Sequence, residues 1–397
     1  LSNASTSSIA HNKPRYEYLD ALRGLAIFGV MVTHCAFVTQ STFHKIFLGI
    51  RYPLAGSYGV QLFFMISAFT IFMTLARSSS RDTHLAANFY IRRFFRILPM
   101  FWVGILLYTF VPGREKYPPP FDLTFIHYFL TATLQHGWHP NSLNSVVPGG
   151  WSIAVEATFY LVAPLLFALI KGWRSAFLFF LITLVSYFAC MGCLNLMVDR
   201  GLLFPNVQPY LMYYFKLRWF PSQLPVFAMG ILVFHLWQSL PPLFFRPAIG
   251  IGLLIASAAY IFLILSAGGV ALVPEHQLIS LGFGLLFLGL AIHPIPPLVN
   301  SFTCLLGRIS YSFYLLHFVM LEIAIYAIQY IHPINNGLAI FALLSMLTLI
   351  LSTAVSYLSF KFVETPFIAI GSNIIKWIER PVPKEQPQEL VIPSLAN

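Results

Sequence analysis

Charge is the scarcest property of this sequence. Lys, Arg, Asp and Glu together make up 9% of 397 residues, where a soluble domain carries about 25%, so a water-soluble globular fold is excluded. Carboxylates are rarer still, thirteen against 23 Lys and Arg, and they are too sparse for a two-metal cage. The twelve histidines include no His-x3-His pair on a helix, so no metal site is expected. A Gly-x-Ser-x-Gly elbow and a phosphate-binding P-loop are both missing. Cysteine is limited to Cys35, Cys190, Cys193 and Cys304. Cys190-Met-Gly-Cys193 has the spacing of a redox or metal pair, but it stands alone inside an apolar run and is read as packing. Residues 1–17 are polar and hold no cleavable signal, and Leu1-Ser2-Asn3-Ala4 reads as the remnant of an expression tag.

What is present in quantity is hydrophobic sequence, 58% of the chain, in long continuous runs without the period-two alternation of a membrane β-barrel. The expectation is an all-α, polytopic integral membrane protein. Ten spans are predicted at about 18–38, 57–76, 95–112, 151–170, 175–197, 219–238, 247–267, 276–293, 306–330 and 337–362. The segment 122–135 is too short to cross and reads as re-entrant or interfacial. With the N-terminus inside, fifteen Lys and Arg fall in cytoplasmic segments and seven in outer loops, with Arg23 just within the first span. That bias puts both termini in the cytoplasm. The net charge of +10 then belongs to an anionic leaflet or a phosphorylated ligand and not to nucleic acid. The domain reading is a flexible tail over 1–16, one transmembrane domain over 17–367, and a cytoplasmic tail over 368–397 expected to be largely disordered from Gly371 onward.

Polar residues inside the spans are expensive and therefore informative. The run from Asp20 to His34 carries Arg23 and His34 eleven residues apart. On a helix this is about 1100°, some 20° beyond three full turns, with a rise of about 16 Å. Both side chains lie on one stripe, and Asp20 can pair with Arg23. In Tyr90-Ile-Arg92-Arg93-Phe-Phe-Arg96-Ile-Leu-Pro99, Arg93 and Arg96 share a face below a proline. Two readings stand for them: a fork-shaped anion site suited to phosphates, or a stop-transfer cluster on lipid headgroups. The fourth span, from Trp151, repeats Ser152, Glu156 and Tyr160 every four residues. In the ninth, Ser310, Tyr314 and His317 share a face, with His317 either catalytic or a satisfied histidine lining a cavity. The outer loop from about 113 to 150, with Pro118-Pro119-Pro120 and Pro148-Gly149-Gly150, is a functional lid or a tolerated excursion.

Taken in order, Arg23-x10-His34, Gly59-Val60…Phe63-Phe64…Ser67, Arg93-x2-Arg96, Trp151-Ser152…Glu156…Phe159-Tyr160, Ser310-Tyr311…Tyr314-Leu315…His317 and Val363-Glu364-Thr365-Pro366 resemble the acyltransferase type 3 family over roughly residues 17–367. That family consists of membrane enzymes that O-acylate surface glycans or, in some members, small molecules. Gln61 stands where the family often has an acid and Ala68 where it often has glycine, departures that bear on the acceptor more than on the reaction class. The chain is expected to be of the stand-alone kind, without a second esterase-like domain.

The resemblance implies an acyl-CoA donor, acetyl-CoA by base rate, reached from the cytoplasm, and a carbohydrate or glycolipid acceptor such as a lipopolysaccharide O-antigen presented outside a bacterial plasma membrane. Carried over, Arg93 and Arg96 hold the CoA phosphates. Arg23 holds the pantetheine end or a phosphate, or orients the first helix. His34 is the general base, since an ordinary imidazole titrates at about 6.5. Glu156 or Tyr160 orients that histidine or positions the acceptor. Trp151, Ser152, Tyr160, Tyr314 and His317 line the acceptor site. Transfer is direct, or passes through an acyl-enzyme on Ser67, Ser152 or Tyr160. The rival readings are a transporter or flippase of a lipid-linked glycan and a structural subunit of a polysaccharide complex.

Overall fold

The computed structural model describes residues 16–45, 55–110, 123–267, 273–330 and 336–380. Leu1–Ala4, Pro118–Pro120 and the tail beyond 380 lie outside the described residues. In chain order the helices are α1 (Glu17–Ser41), α2 (Gly59–Ser78), α3 (Leu85–Phe110), α4 (Phe125–Ala132), α5 (Trp151–Leu169), α6 (Trp173–Asp199), α7 (Pro209–Arg218) and α8 (Phe220–Ser239). They continue with α9 (Pro247–Ala267), α10 (Glu275–Ile292), α11 (Ser301–Arg308), α12 (Ser310–Gln329), α13 (Gly337–Ser359) and α14 (Thr365–Ile378). Among the described residues ten helical segments are long and apolar enough to cross a membrane, and the molecule is a multi-pass membrane protein.

Burial sorts the bundle into a centre and a rim. In α2 78% of the most apolar window is buried, whereas α6 and α9 bury only 17% of theirs, so their Leu, Val and Phe side chains face outward, as lipid contact requires. At the centre α1 packs against α2, α11 and α13, α2 against α8, and α12 against α13. The crossing of α1 and α11 uses glycine on both sides. A Cβ on Gly24 would overlap the Thr303 carbonyl, and one on Gly307 would overlap that of Asp20. This close approach fixes α1 on either side of Arg23.

Three expectations change in the structure. The span expected at 306–330 is a short helix α11, capped by Asn300 Oδ1 accepting from Phe302 N at 3.0 Å and Thr303 N at 3.1 Å, then a break at Ile309 before α12. The crossing at 219–238 is preceded by α7, and the chain breaks at Trp219 because Pro221 enters the first turn of α8. The tail expected to be disordered from Gly371 is helical to Ile378. It continues α13 through a π-helical turn, Phe360–Glu364, and packs on α3, where a Cβ on Gly371 would stand 2.9 Å from Phe95. The segment 122–135 holds only the eight-residue α4, too short to cross.

The described ends of the chain meet the same end of the bundle. Arg77, at the end of α2, donates to the Tyr16 hydroxyl at 2.8 Å. Glu379, just after α14, accepts from Thr83 N and His84 N at 3.0 Å and from Asn88 Nδ2 at 2.6 Å. Those backbone N–H groups, His84's foremost, hold the Glu379 carboxyl down to about 2.

Candidate functional site: a cationic cleft below a histidine pair

Five helices line a cleft with Arg23 from α1, Phe63, Phe64, Ser67 and Thr70 from α2, Arg93 and Arg96 from α3, Ser152, Glu156 and Tyr160 from α5, and Ser310, Tyr311 and Tyr314 from α12. Residues distant in sequence thus converge as their helical spacings require. Arg93 and Arg96 are three apart, and Ser152, Glu156 and Tyr160 four apart, so each set presents one face.

The arginines gather at one end. Arg23 pairs with Asp20 at 3.6 Å and donates to Thr70 Oγ1 at 3.4 Å. Arg93 lies 5.3 Å from the centre of the Tyr160 ring and 5.5 Å from that of Phe89. Arg23, Arg93 and Arg96 are close enough to repel one another, and Glu156 is the acid that attracts both Arg23 and Arg93 across the cleft. Its Oε1 is engaged, accepting from Ser67 Oγ at 2.5 Å and from the Tyr160 hydroxyl at 2.6 Å. A cluster of this kind, with more positive than negative charge and guanidinium geometry, is suited to a polyanion such as a phosphate chain.

The other end is built around Tyr314. Its hydroxyl donates to Gly149 O at 2.8 Å and meets Ser152 Oγ at 2.9 Å. Gly149 adopts φ +77°, and a Cβ there would strike that hydroxyl, so glycine is required. The turn is held from behind: Asn144 Oδ1 accepts from Gly149 N at 2.8 Å, and His136, stacked on Phe101, hydrogen-bonds Gly150 O through Nε2 at 2.9 Å. Burial lowers the His136 pKa to about 4, so it is neutral and donates to that carbonyl. The described part of the long loop, with Leu143, Val146 and Val147 buried, is a packed cover over this end.

His34 does not line the cleft. It is half-buried, 5.3 Å from His317 and 4.4 Å from Phe318 between ring centres. His317 in turn lies 5.9 Å from the Tyr314 ring, so Tyr314 stands between the arginine end and the histidine pair. His317 Nδ1 is 2.7 Å from Tyr314 O. A carbonyl only accepts, which puts the proton on Nδ1 and leaves Nε2, buried and without a partner among the described residues, as a lone pair.

The structure therefore brings Arg23, Arg93, Arg96, Glu156, Tyr160, Ser152 and Tyr314 into one cleft and sets His34 against His317 beyond it. Trp151 lies behind, edge-on to Phe64 at 6.0 Å. Among the described residues no hydrogen bond joins Glu156 or Tyr160 to His34; the two are bonded to each other. Sequence pattern assigns no role to four further residues that the structure places in or beside the site. Tyr311 donates to Ile97 O at 2.8 Å, and Thr70 steadies Arg23. Glu364, 1% exposed, accepts from Ser312 N at 3.0 Å and also from the Ser312 hydroxyl, with Arg96 in electrostatic reach. Arg218 lies over Trp151. Glu364 had a signal in Val363-Glu364-Thr365-Pro366. Arg218 had none, since basic residues at helix ends are commonplace.

The fold and site define a multi-pass membrane protein with a cationic intramembrane cleft. The acyltransferase 3 family model, described as an acyltransferase domain, matches residues 16–357, and the chain belongs to that family. It is 23% identical over 434 residues to "Putative O-acetyltransferase" of Staphylococcus aureus (strain COL), covering 99% of this chain and 64% of that protein. It is 29% identical over 190 residues to "Nodulation protein 10" of Rhizobium leguminosarum bv. viciae, covering 42% of this chain and 48% of that protein. The chain thus spans somewhat less than two thirds of the length of the curated Staphylococcus relatives it matches. No solved structure matches it.

Proposed function

We propose that this protein is a membrane O-acyltransferase that moves an acyl group, acetyl in the simplest case, from acyl-CoA to a hydroxyl of an exported carbohydrate at the plasma membrane. The observation that carries this reading is the convergence of Arg23, Arg93 and Arg96 in one cleft of a chain whose family is an acyltransferase domain. The CoA phosphates bind at the arginines, entering from the cytoplasmic side on which both termini lie. The pantetheine arm runs along Ser67, Tyr311 and Tyr314. Arg23 and His34 sit on one uninterrupted helix, about 16 Å apart along its axis, so the thioester is delivered toward the histidine pair.

There His34 takes the proton of the acceptor hydroxyl as its oxygen bonds to the thioester carbonyl carbon. Collapse of the tetrahedral intermediate breaks the C–S bond, and the departing thiolate recovers the proton from the imidazolium. Direct transfer is favoured over an acyl-enzyme. Ser67 and Tyr160 both donate to Glu156, and Ser152 donates to Gly149 O at 3.1 Å, so none of the three has a histidine to activate it.

The test is release of free CoA from acetyl-CoA by the purified full chain with carbohydrate acceptors, wild type against His34→Ala and Arg96→Ala. Acceptor-dependent release that His34→Ala abolishes while remaining folded supports the reading. Full activity in His34→Ala removes the base assignment, and failure to bind or consume any acyl-CoA removes the acyltransferase reading.

A further inference from the structure

A further cation stands beyond Tyr314, and the transfer reaction described above leaves it unused. Arg218 closes α7, where the chain turns through extended backbone at Trp219 (φ −69°, ψ 161°) into α8. Two buried amides fix this turn. Gln223 Nε2 donates to the carbonyl of Leu217 at 2.7 Å, and Gln61 Nε2 donates to Gln223 Oε1 at 3.0 Å. The Arg218 guanidinium lies 4.7 Å from the centre of the Tyr214 ring and 5.4 Å from that of Trp151. It is within electrostatic reach of Tyr314 and of His34.

Among the described residues no carboxylate forms an ion pair with Arg218; the ion pairs there join Arg23 to Asp20 and Arg92 to Asp82. The Gln61 and Gln223 side chains beside its turn are neutral. A cation inside an apolar bundle without a counter-ion is costly, and such a group marks a ligand path by default. Ring contact leaves the Arg218 N–H groups without a hydrogen-bond acceptor among the described residues, and a guanidinium's fork geometry matches a carboxylate or a phosphate. The mouth beside it is aromatic: Tyr213 and Tyr214 on α7 are 61% and 42% exposed, the amphipathic kind of surface on which sugars and lipid headgroups rest.

We propose that Arg218, held between Trp151 and Tyr214, binds an anionic group, carboxylate or phosphate, on the carbohydrate whose hydroxyl reaches His34, so that this enzyme selects acidic over neutral sugars. Calling that ligand an acceptor rests on the acyltransferase reading; the anion site itself does not. The competing role is general stabilisation of the thioester oxyanion, in which Arg218 serves every acceptor equally.

The experiment is equilibrium binding of matched sugars to the detergent-solubilised full chain: methyl glucuronide against methyl glucoside, and glucose 6-phosphate against glucose. Acetyl-CoA binding and CoA release are measured on the same preparations. Wild type is expected to bind at least one acidic member about tenfold or more tightly than its neutral partner, and the pair that responds tells carboxylate from phosphate. Arg218→Gln collapses that preference to within about twofold, and Arg218→Lys, which keeps charge but not the fork, restores part of it. Thermal unfolding curves check that both variants fold. Equal binding of acidic and neutral sugars, no binding of either, or a preference that survives Arg218→Gln overturns the proposal. Charge-selective binding without any use of acetyl-CoA upholds the anion site and removes the acyltransferase reading. CoA release without charge selectivity does the reverse.

Discussion

His34 and His317 face each other with ring centres 5.3 Å apart, and only His317 is tied to a backbone carbonyl, through Nδ1 and Tyr314 O at 2.7 Å. The asymmetry separates their roles. His34→Ala is expected to lower kcat by about 10²–10⁴-fold, the usual loss of a general base, while leaving the KM for acyl-CoA within a few-fold. His317→Ala opens a cavity beside His34 and loosens Tyr314. It is expected to lower both thermal stability and kcat, the latter by less than His34→Ala. Steady-state kinetics with unfolding curves on the two variants decide this, and equal kcat losses with equal stability would merge the two roles.

The arginine end predicts the opposite split. Each guanidinium–phosphate contact is a charge-assisted hydrogen bond of about 1.5–3 kcal/mol. Arg96→Gln and Arg93→Gln are therefore expected to raise the KM for acyl-CoA by about 10–100-fold and to change acceptor KM little. Arg23→Gln also loses the ion pair to Asp20 and the hydrogen bond to Thr70 Oγ1, so it loses stability as well. Binding of acyl-CoA weakened by added salt in wild type, and less so in Arg96→Gln, is the accompanying signature.

Glu156 ties α2 to α5, accepting hydrogen bonds from Ser67 and Tyr160 on one oxygen. Glu156→Ala leaves both hydroxyls without their acceptor and removes the acid facing Arg23 and Arg93. An unfolding free energy lower by about 1–3 kcal/mol is expected. Tyr160→Phe leaves Ser67 bonded and is expected to cost less. A loss in Tyr160→Phe equal to that of Glu156→Ala would show that the two hydroxyls do not share the carboxylate as described.

Much of this site was legible because helical periodicity converts sequence spacing into a shared face. Spacing alone places Arg23 with His34, Arg93 with Arg96, and Ser152 with Glu156 and Tyr160 each on one stripe. What periodicity cannot supply is which stripes meet. Spacing leaves Glu156 open to orienting His34 or positioning the acceptor; the structure adds Ser67 from α2 and Tyr160 from the next turn as its partners. Glu364 went unassigned because its partner, Ser312, is 52 residues away. Helix ends were the weakest point for the same reason. The tail from Gly371 onward is rich in Pro, Glu, Gln and Lys and reads as loose, but its first residues belong to α14, where Gly371 allows close contact with Phe95. Tertiary contact, not local propensity, keeps it helical.

That docking predicts a pH dependence outside the membrane-spanning segments. In the folded protein the Glu379 carboxyl is held to about 2, below its ordinary value of 4.5, by the backbone N–H groups of His84 and Thr83. A depressed folded value means that the contribution is fully present above the unfolded pKa and is lost as pH falls through the folded one. The contact is therefore constant above about pH 5 and weakens toward about pH 2. Trp377 on α14 is 69% exposed and reports the helix by its fluorescence. Acid titration of wild type should show α14 loosening in this window, before the bundle unfolds. Glu379→Gln, which carries no titrating carboxyl, should start from a looser α14 at neutral pH and show no transition there. An identical acid transition in both proteins would assign it to another group and leave Glu379 as an ordinary surface acid.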